Sequence, residues 1–203
     1  MGNYKRILIK TKRFIFDDDS IWSWIVDIVL AFVLIKFIVY PFLGFILSTT
    51  HPIVAVVSGS MEHDGSYDDW WALHQEFYLK EGITREDFLK FRFRNGFNTG
   101  DIMILKGKAA PDIGVGEVIV YWSGNGDPII HRVVKKWHKD NHYYFQTKGD
   151  HNSGSNFNEV ELREDIIVGY NKYNKGSVAV MRIPYLGWIK IGFVNILQII
   201  GVL

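Results

Sequence analysis

The hydrophobic pattern divides the chain into two apolar ends and a polar, turn-rich middle. From Ile28 to Leu47, twenty consecutive positions are apolar or aromatic except Lys36, Pro41 and Gly44. At about 1.5 Å of rise per residue this run reaches roughly 30 Å as a helix, the depth of a bilayer's hydrocarbon core. It predicts a transmembrane helix within residues 21–48. The preceding segment, 1–20, carries Lys5, Arg6, Lys10, Lys12 and Arg13 and then the acidic knot Asp17, Asp18, Asp19. Five cations before the span and none close behind it place the N-terminus in the cytoplasm and the middle of the chain outside it. A removable secretory signal has a shorter apolar region that ends at a small-residue cleavage site, so the span reads as a retained anchor. Lys36 is costly at that depth unless it faces protein or thinned bilayer, and Asp27 lies near enough to the cytoplasmic end to reach water. The other end, residues 183–203, is again close to spanning length, but Lys190, Asn195 and Gln198 spread over a broad arc of the helical wheel. That predicts a membrane-associated segment, whether crossing the bilayer or lying in its interface.

Between the ends, short β-like runs alternate with Gly, Asn, Asp and Pro, the punctuation of a small all-β domain. The predicted strands are Ile53–Val57, Asp101–Leu105, Val118–Trp122, Ile129–Lys135, Tyr143–Thr147, Ile166–Tyr170 and Ser177–Ile183. Seven such strands imply a mainly β, small barrel-like or sandwich domain over residues 49–182. Residues 64–98 break the rhythm: Trp70, Trp71, Phe77, Tyr78, Phe88, Leu89, Phe91 and Phe93 have helical spacing, and Thr84-Arg85-Glu86-Asp87 resembles a capped helix start. This stretch reads as a helical aromatic insertion.

Composition narrows the function classes. The 203 residues are 48% apolar and 22% charged, which suits a folded globular unit with attachments rather than a disordered chain. With 23 Lys+Arg against 22 Asp+Glu there is no basic excess to neutralise a phosphate backbone, so nucleic acid is not an expected partner. The absence of cysteine excludes disulfides, thiolate metal sites and cysteine nucleophiles. His138 and His142 flank Asp140-Asn141 in a predicted hairpin turn, and the chain has no zinc-protease helix motif, phosphate-binding glycine loop or dinucleotide fingerprint. No metal and no cofactor are expected. His51, His63, His74 and His151 read as surface or local hydrogen-bonding residues.

Candidate chemistry begins at Val57-Ser58-Gly59-Ser60-Met61, just past the first β-like run. A Ser-Gly-Ser by itself is most often a turn. A serine hydroxyl is a weak nucleophile, so Ser60 would need a base within hydrogen-bond reach and donors for the oxyanion it creates. Ser58, two residues back on extended chain, points to the same side.

Ser58-Gly59-Ser60-Met61, Gly100-Asp101 leading into Ile102-Met103-Ile104-Leu105, Ile130-His131-Arg132-Val133 and Thr147-Lys148-Gly149-Asp150-His151-Asn152 follow one another behind the anchor. In this order the chain resembles signal peptidase I of the archaeal and endoplasmic-reticulum type, a family of membrane-anchored serine peptidases. The resemblance implies Ser60 as nucleophile, Ser58 and Ser60 at the oxyanion hole, His131 as general base and Asp150 as its acidic partner. Histidine rather than the lysine of the bacterial branch occupies the base position, and Arg132 reads as structural, a salt bridge to a domain carboxylate. The chain departs from the family where a second aspartate often follows the Gly-Asp pair: it reads Ser153-Gly154-Ser155-Asn156, and the next acid is Glu159. Asn156 and Glu159 are therefore further candidates to orient His131. Thr99 stands where the family commonly has arginine. The implied activity is removal of signal peptides from secreted preproteins at the cell membrane, with preproteins, the lipid bilayer and translocation machinery as partners. The alternative is a non-catalytic anchored β-domain that binds extended peptides or scaffolds a translocation complex.

Overall fold

A computed structural model describes residues 2–18, 20–123 and 128–199. Asp19 of the acidic knot and positions 200–203 of the C-terminal segment lie outside the described residues. The chain divides into two compact units, residues 1–46 and 47–203.

In the first unit, helix α1 (Gly2–Phe16) is followed by the apolar helix α2 (Ile21–Leu47), which is long and apolar enough to cross a membrane. Ser20 caps α2, its side chain accepting the Ser23 N–H at 3.3 Å, while the Ser23 hydroxyl donates back to the Phe14 carbonyl at 2.5 Å. The helix widens into a π turn over Ile35–Val39, directly before Pro41. Proline has no N–H for the carbonyl four residues back and its ring crowds that turn, so the ladder loosens where Pro41 enters. Lys36 lies in this turn with Nζ 5.6 Å and 5.7 Å from the Phe32 and Phe37 ring centroids.

The second unit is built on one antiparallel sheet of seven strands: β1 (Ile53–Ala55), β2 (Ile102–Lys108), β3 (Val118–Trp122), β4 (Pro128–Lys139), β5 (His142–Lys148), β6 (Leu162–Arg163) and β7 (Gly176–Ile183). Their spatial order is β1-β2-β7-β3-β4-β5-β6, so β1 and β6 are edges and the sheet stays open. The mainly β reading holds, with one displacement. Ile166–Tyr170 is not a strand; a 3₁₀ turn, a single bridge from Ile167 to Tyr121 and helix α5 (Tyr170–Tyr173) occupy it, and the sixth strand lies earlier. Ile167 and Val168 are buried without a ladder of their own, so apolar spacing there reports burial rather than pairing.

Strand β3 is buried on both faces. Val118 and Val120 join a cluster with Met61, Phe97, Met103 and Leu105, while Ile119 and Tyr121 join Val133, Phe145 and Ile167 on the other side. The β4–β5 hairpin closes on Asp140-Asn141, both at positive φ, the left-handed pair a two-residue turn demands.

The insertion folds into helix α3 (Tyr67–Lys80) and helix α4 (Arg85–Leu89), each opened by a capping box, Ser66 with Asp69 and Thr84 with Asp87. Trp70, Trp71, Tyr78, Ile83 and Phe88 form a third cluster with Val134 of β4. The chain enters helix α6 (Trp188–Ile199) across Gly100-Asp101: the Gly187 N–H donates to the Gly100 carbonyl at 2.8 Å and Asp101 accepts the Tyr185 N–H at 3.1 Å. Gly100 sits at φ +88°, and a Cβ there would come within 2.1 Å of the Trp188 indole nitrogen, so only glycine fits.

Candidate active site

Ser60 stands on a tight turn after β1, and three contacts hold the turn. Its carbonyl accepts the His151 N–H at 2.9 Å, the Met61 carbonyl accepts the Phe97 N–H at 3.0 Å, and the wholly buried Met61 side chain receives the Asp150 N–H on sulfur at 3.4 Å. The Ser60 hydroxyl is 2.9 Å from Nε2 of His131 on β4, 71 positions away. Ser58 Oγ lies 3.3 Å from Ser60 Oγ, on the same side as the extended spacing predicts.

His131 is buried and its other nitrogen, Nδ1, touches Oε1 of Glu159. Oε1 also accepts the Tyr121 hydroxyl at 2.7 Å, and Oε2 accepts the Asn156 backbone N–H at 2.8 Å. Glu159 is thus held at both oxygens. Burial pushes its carboxyl up, but His131, Tyr121 and the Asn156 N–H outweigh that and bring it below the usual carboxylate range. With Nδ1–H donating to a carboxylate, Nε2 presents its lone pair to Ser60, the tautomer a general base requires.

Asp150 does not meet His131. Its carboxylate takes Arg132 Nε at 2.9 Å and Nη2 at 2.6 Å, the Tyr78 hydroxyl at 2.9 Å and His63 Nε2 at 3.0 Å. The cause is the period of the strand: His131 and Arg132 are neighbours on β4, so their side chains leave by opposite faces, and the motif aspartate follows the arginine. The salt bridge expected of Arg132 is this one. Its remaining N–H groups donate to the carbonyls of Arg92, Phe93 and Gly116 at 2.9–3.0 Å, so the buried cation is fully occupied. Burial would raise the Asp150 carboxyl, but Arg132 and His63 hold it well below the ordinary range. His63 departs from the surface reading: its side chain is buried, stacked on Trp70 at 3.7 Å between centroids. Asn156 contributes its backbone to Glu159 rather than its side chain to the imidazole. Glu159, read from the sequence as one of two orienters, occupies the position expected of Asp150.

Lys148, fully buried between Asp150 and the insertion, donates to the Gly149 and Asp150 carbonyls at 3.0 Å and 3.1 Å and lies over the Tyr78 ring. Burial lowers its ammonium to about 8. Its donors tie the 149–150 backbone, which abuts both Ser60 and His131. Tyr121 carries no sequence signal beyond its place in the apolar run Val118–Trp122. A cleft of about 310 Å³ is lined by Ser60 and His131 together with Ala55, Val57, Ser58, Ile129, Ile130, Asn152 and Asn156.

No family model matches the chain. Among curated proteins it is similar to the signal peptidase complex catalytic subunit SEC11 of Colletotrichum graminicola, 29% identical over 157 residues, which cover 76% of this chain and 71% of that protein. It is similar to SEC11 of Metarhizium robertsii, 32% identical over 120 residues (51% of this chain, 67% of that protein). To SEC11C of Homo sapiens it is 35% identical over 100 residues, spanning about half of each, 47% and 49%.

Proposed function

The chain belongs to the family of the signal peptidase complex catalytic subunit SEC11, and on that premise we propose that it is a membrane-bound serine endopeptidase that removes N-terminal signal peptides from secreted preproteins. Ser60 is the nucleophile, His131 the general base, and Glu159, in place of Asp150, the acid behind the imidazole. The observation that carries this reading is the 2.9 Å approach of the Ser60 hydroxyl to His131 Nε2, with a carboxylate on the far nitrogen.

In this mechanism the Ser60 proton passes to Nε2 as Oγ attacks the scissile carbonyl, and the imidazolium is stabilised by Glu159. The Ser58 hydroxyl and the Ser60 N–H stabilise the oxyanion. Nε2 then returns the proton to the leaving amine, and a water activated by the same nitrogen cleaves the acyl-enzyme. Substrate adds as a strand at the free edge of β1, its small side chains before the cut entering the cleft beside Ile129 and Ile130.

The long apolar run of α2 and the cations before it support a membrane anchor with the C-terminal unit outside the cytoplasm. Ser60 follows that helix by only thirteen residues, so a preprotein tethered by its own apolar segment meets the site at raised effective concentration. Exposed Trp188, Ile189 and Phe193 on α6 support membrane association of the 183–203 segment. Translocation machinery, as well as preproteins, is the partner class this reading implies.

Detergent-solubilised protein and a labelled preprotein test it. Ser60→Ala and His131→Ala should each abolish cleavage while leaving membrane insertion intact. Cleavage retained by either variant overturns the assignment.

A further inference from the structure

Tyr121 and Thr147 extend the Ser60–His131–Glu159 chain of polar groups, and the mechanism above uses neither. Its hydroxyl donates to Glu159 Oε1 at 2.7 Å and lies 3.5 Å from His131 Nδ1, while Thr147 on the neighbouring strand donates to it at 3.4 Å. The tyrosine ring is buried against Val133, Phe145 and Ile167, which fixes the hydroxyl beside the carboxylate.

We propose that Tyr121 is a positioning residue that acts through Glu159: its hydroxyl occupies the carboxylate oxygen that faces His131, so the Nδ1 proton stays on the ring when Nε2 takes up the Ser60 proton and the imidazolium forms. This inference rests on reading His131 as the base. Two donors share Oε1, and each draws charge from the other's acceptor. Without the phenol, Oε1 would concentrate its charge on the imidazole, hold the protonated ring too firmly and slow return of the proton to the leaving amine. Glu159 would still stay in place, because Oε2 is bound independently by the Asn156 N–H. Removal of the hydroxyl therefore changes charge rather than position.

Few other charges reach this group. On β4 it faces His131 and on the 156–159 turn Glu159; Lys148 on β5, the register partner of Arg132, lies on the opposite face, and its ammonium interacts with Glu159 through space. Arg132, the neighbour of His131, points to the opposite face and is saturated by Asp150 and three carbonyls.

The test is the titration of the His131 ring by NMR in histidine-labelled, full-length protein, its resonance identified by its loss in His131→Gln. Tyr121→Phe should raise the midpoint by about one pH unit and lower kcat/KM at neutral pH by about tenfold. In a Glu159→Gln background the same substitution should leave the midpoint unmoved. Where Tyr121→Phe does not give a cooperative melt, 3-fluorotyrosine placed at 121 keeps the ring, donates more strongly and should move the midpoint down. A midpoint unchanged in these variants, or an equal shift in the Glu159→Gln background, overturns the inference. Because the titration needs no turnover, a protein that shows the shift but cleaves no preprotein refutes the peptidase reading and leaves the Tyr121 coupling standing.

Discussion

Gly149 is where a single methyl group should separate nucleophile from base. A Cβ on its backbone would lie 2.7 Å from the Ser60 carbonyl oxygen, 2.8 Å from His131 Nε2 and 2.7 Å from Asn152 Nδ2. Ordinary contact begins at 3.4 Å, so the neighbours are too close by about 0.6–0.7 Å. Two of the three cannot yield freely: the Ser60 carbonyl is tied to the His151 N–H, and His131 is held through Nδ1 by Glu159. The 149–150 backbone cannot retreat either, since Lys148 binds both its carbonyls and Arg132 anchors Asp150. Gly149→Ala should therefore push Ser60 and His131 apart by several tenths of an ångström. The expected loss is about 10²-fold in kcat/KM, the scale for misplacing reacting groups by about an ångström. Overpacking should cost about 1–3 kcal/mol of stability. Gly154→Ala is the matched control, because a Cβ there meets only the Phe77 ring at an ordinary 3.8 Å. Preprotein cleavage by both variants, alongside thermal unfolding, decides the matter. Gly149→Ala within about threefold of the parent would show that the loop yields and that the close packing does not position the pair.

Glu159→Gln keeps the shape but removes the charge that stabilises the imidazolium, and should lower kcat by about 10²-fold or more with the fold retained, as read by single-turnover cleavage and circular dichroism. Asp150→Ala leaves Arg132 buried without its counter-ion and should cost about 3–5 kcal/mol; a melt unchanged from the parent would contradict the packing described for this pair. The pH dependence of stability has a definite sign. The folded Asp150 and Glu159 carboxyls both lie below their ordinary values, so their contribution is full above the unfolded carboxylate range and is lost as pH falls through it toward the folded values. Acid unfolding should thus begin below about pH 5 and be shallower in Asp150→Asn, measurable by tryptophan fluorescence.

Several features were legible along the chain because they are one-dimensional. The length of an apolar run determines whether it can cross a bilayer, so α2 could be read without any contact. Short β-like runs bounded by Gly, Asn, Asp and Pro marked six of seven strands, and helical spacing with the Thr84–Asp87 capped start announced the insertion. Ser60 and His131 came from the family resemblance that the order of short motifs carries. The choice between Asp150 and Glu159 was different in kind. Spacing in sequence says nothing about which acid reaches a buried imidazole, and the motif favoured the aspartate. The tertiary structure decides it because adjacent residues on a strand face opposite ways: Arg132 draws Asp150 to the side covered by Trp70 and Tyr78, leaving the other face of β4 to His131. Glu159 arrives there on a turn after β5, and Tyr121 from a third strand meets it. That convergence exists only once β3, β4 and β5 lie side by side.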